Sequence, residues 1–76
     1  MPAVPVDPLG EDFAYVQVVT DLKRRIASGE LSGKLPAERS LAEEYECAYT
    51  TVRRAMEVLR DEGTVITRQG RGTFVR

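Results

Sequence analysis

Apolar residues recur along this chain at helical spacing in three places and alternate as in paired strands in one. From about Asp12 to Ser28, Tyr15, Val16, Val19, Leu22 and Ile26 trace one face of a helix that Gly29 stops. The connector GELSGKLP, residues 29–36, ends in a short extended piece, because the residue before a proline is pushed toward β conformations. Pro36 then stands where a helix begins. A second helix is predicted from Ala37 to about Tyr45, burying Leu41, Ala42 and Tyr45. A third runs from about Tyr49 to Glu62, burying Val52, Ala55, Met56 and Leu59, with Gly63 as its stop. The tail, TVITR–QG–RGTFVR, has two β-rich runs around a glycine-containing turn, the mark of a hairpin. Residues 1–11 hold three of the four prolines and read as a flexible arm. The expected architecture is α+β, with that arm followed by one domain over 12–76 of three helices and a C-terminal hairpin.

Two helices joined only by Glu46-Cys47-Ala48, with a hairpin after them, follow the order of a winged helix-turn-helix. In such a unit the second helix of the pair buries one face and offers its N-terminal end outward to the DNA major groove. The outward positions here are Tyr49, Thr50, Arg53 and Arg54. Arginine bonds bidentately to guanine or phosphate, and threonine hydroxyls and helix N-terminal amides suit phosphate oxygens. Tyr49 has three options: stacking on a sugar, touching a thymine methyl, or packing back on the protein. At the hairpin tip, Arg68-Gln69-Gly70-Arg71-Gly72 combines glycines that permit close backbone approach with arginines for phosphate or a narrow minor groove. RQGRG alone is also what a solvent-facing turn looks like; its place after a helix-turn-helix gives it weight.

Charge refines this picture. The net charge of −1 argues at first against nucleic acid, but from Thr64 to Arg76 there are three arginines and no acid. The acids gather instead at Glu43, Glu44 and Glu46 and at Asp7, Glu11 and Asp12, so one basic face on a near-neutral body is expected. Lys23, Arg24 and Arg25 close the first helix, where cations suit its dipole, and are expected on a solvated face. With a single cysteine no internal disulfide forms, and Cys47 is expected to be buried as a small hydrophobe. No basic start with a continuous apolar run marks a signal peptide, and no stretch nears the roughly 20 apolar residues of a membrane span. A cytoplasmic, nucleoid-associated protein is expected. Histidine is absent, no nucleophile–base pair, metal-ligand cluster or phosphate loop is visible, and neither catalysis nor a cofactor is expected.

The run LPAERSLAEEYECAYTTVRRAMEVLRDEGTVITRQGRGTFV resembles the N-terminal winged-helix domain of the GntR family of bacterial transcription regulators. That family's pattern is approximately L-P-S-E-R-x-L-A, then V-S-R-x-T-V-R-x-A-L, then L-x-x-x-G and a wing R-x-G-x-G-T-F-V. Leu35, Pro36, Glu38, Arg39, Leu41, Ala42, Thr51, Val52, Arg53, Ala55, Leu59, Gly63, Arg68, Gly70, Gly72 and Thr73 to Val75 match it. The resemblance implies DNA binding as a repressor or activator of transcription, with a repressor expected. It implies that Arg39 reaches DNA from the start of the second helix and Arg53 from the third. Thr50 and Thr51 would anchor phosphates, and Gly70 would meet the minor groove. Read from its neighbours alone, Arg39 is equally placed to pair with Glu43 at i+4.

Departures from the pattern matter as much. The family's Ser-Arg at the head of the recognition helix is Ala48-Tyr49 here, so a helix cap and an expected base reader are both missing, and Ala37 replaces another capping serine. The connector is shorter than the family's usual G-x-L-x-P-G-x-x-L-P, so the small strand beside the wing is expected to be shortened. The family continues beyond the equivalent of Arg76 into a ligand-binding, dimerising domain, so no small-molecule site is expected in these residues. The expected partner is double-stranded DNA, with a homodimer on DNA where binding is tight. The rival reading is a winged-helix module for protein–protein contact, favoured by the Ala48-Tyr49 replacement and the acidic isoelectric point of about 5.4. A positive strip from Arg39 through Arg53 to Arg71 would favour DNA; a neutral apolar patch around Tyr49 would favour a protein partner.

Overall fold

The computed structural model describes residues 2–76, with helices α1 (Ala14–Ala27), α2 (Glu38–Tyr45) and α3 (Tyr49–Asp61) followed by strands β1 (Val65–Arg68) and β2 (Gly72–Val75). The order is the one the pattern predicts, with helix ends shifted by no more than two residues. Val18, Val19, Leu22, Leu35, Leu41, Ala42, Tyr45, Val52, Ala55, Met56, Leu59 and Val65 form the core. On α3 the inner face is the predicted one. On α1 it is turned toward Val18, Asp21 and Arg25, leaving Tyr15, Val16 and Ile26 only half-buried.

That turn of α1 has a polar cause. The Tyr45 hydroxyl, fully buried, donates to Asp21 Oδ2 at 2.8 Å, and Arg25 Nη1 donates to the same hydroxyl at 3.2 Å. Arg25 also pairs with Glu30 at 2.6 Å and Glu44 at 3.3 Å. The expectation of a solvated basic triplet therefore fails at Arg25, which is 5% exposed. A buried cation is sustained only by partners, and three of them lie on the connector and α2. Burial disfavours its charge, but Tyr45 and the two glutamates outweigh burial and hold the guanidinium protonated. Burial likewise pushes the Asp21 carboxyl up, yet bonds from Tyr45, Arg24 and the Val4 amide bring it below the usual range. Lys23 matches the expectation better, half-exposed and paired with Glu62.

The stretch read as an arm is laid along the body in this structure. The Val6 amide donates to the Tyr45 carbonyl at 2.9 Å, the Asp7 amide donates to Gln17 Oε1 at 2.8 Å, and Ala3 and Val6 pack on the core. Gln17 Nε2 donates in turn to the carbonyls of Asp7 and Asp12, both at 2.9 Å. A proline-rich segment without regular pairing is thus tied down by side chains of α1.

Between α2 and α3 the chain reverses through Glu46, whose φ of 52° and ψ of 47° are left-handed. The Cys47 amide donates back to the Ala42 carbonyl at 3.1 Å, closing the end of α2. Cys47 is half-buried against the core, and burial pushes its thiol up, as suits an inert apolar role. The hairpin pairs Val65 with Val75, Ile66 with Phe74, Thr67 with Thr73 and Arg68 with Gly72. Buried Val65 anchors it, and Arg60 of α3 donates to Thr67 Oγ1 at 3.2 Å. Beside β2 the connector contributes a single bridge, Lys34 to Phe74, with the Leu35 amide donating to the Thr73 carbonyl and the Val75 amide to Gly33, each at 2.8 Å.

Candidate nucleic-acid interface

The site is built at the head of α3. Ala48 is extended, with φ −66° and ψ 147°, and its carbonyl accepts from the Thr51 and Val52 amides, but no side chain caps the helix. The first amides of α3 are left open to an outside acceptor, at the positive end of the helix dipole. Val52, Ala55 and Met56 turn into the core. Thr50, Arg53 and Arg54 are exposed and Thr51 is half-buried.

Tyr49 has neighbours supplied from two helices. The guanidinium carbon of Arg39, on α2, lies 5.2 Å from its ring centroid, and that of Arg53, one turn further along α3, lies 5.9 Å away. The ring is 38% exposed. Among the described residues no Arg39–Glu43 ion pair forms; Arg39 lies by the ring instead. Arg54 departs from this group: its guanidinium carbon sits 4.4 Å over the ring of Tyr15 on α1, itself stacked on Phe13. Glu57 shares the shallow groove of Thr50, Arg53 and Arg54 and is its one acid.

The hairpin forms the second part. Arg68, Gln69, Gly70 and Arg71 are all exposed, and the Arg71 amide donates to the Arg68 carbonyl at 2.9 Å to close the turn. Gly70 there has a φ of +76°, a conformation in which a side chain is strained. A cleft of about 700 Å³ lies between the wing and the start of α2, lined by Lys34, Pro36, Glu38, Arg68, Arg71 and neighbouring backbone. Lys34 was not singled out from sequence. Its stem crosses the wing at Gly72, where an added Cβ would stand 2.7 Å from Lys34 Cε. The one sequence signal for it is a lone cation just before the Leu-Pro that opens α2; the bridge to Phe74 is what delivers it to the wing.

Arg39, Tyr49 and Arg53 are therefore brought together, and Lys34, Arg68 and Arg71 form a second basic group at the cleft. Among the described residues no cluster of cysteine, aspartate and glutamate is placed to hold a metal ion, and no helix is long and apolar enough to cross a membrane.

Comparison with known proteins agrees with this fold. The family model for bacterial regulatory proteins of the gntR family matches residues 14–75. The transcriptional repressor NagR of Bacillus subtilis is 43% identical over 63 residues, covering 80% of this chain and 26% of that protein. The chain spans about a quarter of the length of NagR and of the Exu regulon transcriptional regulator of Escherichia coli. YtrA from Sulfolobus acidocaldarius, a GntR-family transcription factor, superposes with a TM-score of 0.85 at 31% identity, over 96% of this chain and 79% of that one. The DNA-binding domain of AraR in complex with operator ORX1 superposes with a TM-score of 0.83 at 30% identity, over 100% of this chain and 96% of that one.

Proposed function

The chain belongs to the gntR family of bacterial regulatory proteins, and from that premise we propose that it binds double-stranded DNA through α3 and the wing and represses transcription. It acts on the chromosome, in the cytoplasm. Arg53 reads a base edge in the major groove, with guanine the best fit, and Arg39 reaches the same groove from α2. Thr50, Thr51 and the open amides of α3 bind phosphate. Arg54, Arg68 and Arg71 supply charge toward the backbone, while Gln69 and Gly70 approach the minor groove. The observation that carries this reading is the convergence of Arg39 and Arg53 at an uncapped helix start. It also weakens the alternative of a protein-binding module, since guanidinium groups lie where that alternative needs a neutral apolar patch.

A salt titration with a generic duplex tests it. The logarithm of the binding constant should fall linearly with the logarithm of salt concentration. Arg71→Ala should weaken all sequences alike and lower that slope by about one unit. Arg53→Ala should cost roughly 1–3 kcal/mol and relax preference at one base pair. Salt-independent binding would contradict a phosphate-based DNA contact, and an Arg53→Ala protein with unaltered affinity and preference would overturn the assignment of α3 as the recognition helix.

A further inference from the structure

The contacts of Tyr49 give that residue a task of its own, and the inference rests on the DNA-binding reading above. We propose that Tyr49 is a positioning residue: its ring is a π platform that holds Arg39 of α2 and Arg53 of α3 in one preset arrangement for reading DNA. Both guanidinium carbons lie within 6 Å of the same centroid, the range in which a cation is drawn to a ring face. Among the described residues neither guanidinium has an ion pair or hydrogen bond, so the ring is the group that orients them. A free arginine surrenders much side-chain freedom when it docks, and ordering it beforehand lowers that loss. The arrangement also links the two helices of the helix-turn-helix, since a shift of α2 against α3 would separate Arg39 from the ring. The ring thus replaces a direct base reader with a part that aims two others.

The consequences differ from those of a tyrosine that touches DNA itself. Tyr49→Phe keeps the platform and should bind a randomised duplex pool with wild-type affinity and select the same sequences. Tyr49→Leu keeps apolar bulk without the ring face. It should weaken binding to the selected sequence about five- to tenfold, with the salt slope unchanged because no charge is lost. Combined with Arg39→Ala and Arg53→Ala, it should have little further effect, because its partners are gone. In the DNA-free protein, NMR should show ring-shielded side-chain protons on both arginines, retained in Tyr49→Phe and lost in Tyr49→Leu, at equal thermal midpoints. The proposal is overturned if Tyr49→Phe is as damaging as Tyr49→Leu, if the leucine effect persists in full without the two arginines, or if the arginine protons are unshielded. A wild-type protein that binds no duplex would sink the DNA-binding reading instead, while the shielding would still decide whether the platform exists.

Discussion

Tyr45 joins the two buried charged side chains among the described residues, donating to Asp21 and accepting from Arg25. Burial, and beyond it the adjacent Asp21 carboxylate, push its phenol up, so it stays protonated and keeps both roles across the neutral range. Tyr45→Phe should cost about 1–3 kcal/mol, because it strips a bond from a buried carboxylate and another from a buried guanidinium. Asp21 carries the pH dependence. Its folded pKa lies below the unfolded one, so its contribution is complete above the unfolded value near 4 and is lost as pH falls through the lower folded value. Tyr45→Phe removes one of the bonds that depress it, and acid unfolding should then begin at higher pH. Urea midpoints measured from neutral pH downward give the comparison; superimposable acid limbs for the two proteins would contradict this account.

At the scale of elements, the starts and stops of α2 and α3 are where stability was left unclaimed. Neither Ala37 nor Ala48 caps its helix. Ala48→Ser should stabilise the fold by about 0.5–2 kcal/mol, read as a higher thermal midpoint, because the extended backbone at that position already suits a capping hydroxyl. Glu46 has the φ of a residue that glycine serves better, and Glu46→Gly should stabilise by up to about 1 kcal/mol. A drop in stability with either substitution would mean that the turn is held by contacts other than those of its backbone. The connector shows the reverse economy: one bridge at Lys34 suffices to seat the wing, because the Gly33, Leu35, Thr73 and Val75 backbone groups are satisfied around it.

For the whole molecule, charge placement matters more than charge balance. A net charge of −1 coexists with an arginine-bearing helix head and wing, while Asp21 pairs with Arg24 and Glu44 with Arg25. A lone domain of this kind should bind duplex weakly, in the range of about 10⁻⁴ to 10⁻⁶ M near physiological salt. Tight binding should require two copies on half-sites roughly one helical turn apart, or at a spacing set by a further dimer contact. Titration of single and paired half-sites followed by sedimentation separates these cases. Nanomolar binding of one copy to one half-site would refute the estimate.

The element order, the buried face of α3 and the exposed wing tip were legible in the sequence, because periodicity, glycine stops and turn residues are local and act within a few positions. Val52, Ala55, Met56 and Leu59 are buried as their spacing requires. What periodicity left out depends on which element arrives opposite. Arg25 reads as solvent-facing until Tyr45 of α2 stands between it and Asp21, and the proline-rich start reads as free until Gln17 and the Tyr45 carbonyl bind it. The candidate site divides in the same way. Local chemistry marks Arg53, Arg68 and Arg71 as exposed cations, but only the crossing of α2 and α3 sets Arg39 and Arg53 over one ring, and only the bridge to β2 draws Lys34 to the wing. Contacts between residues distant in the chain are decided by packing, and one-dimensional spacing carries no record of them.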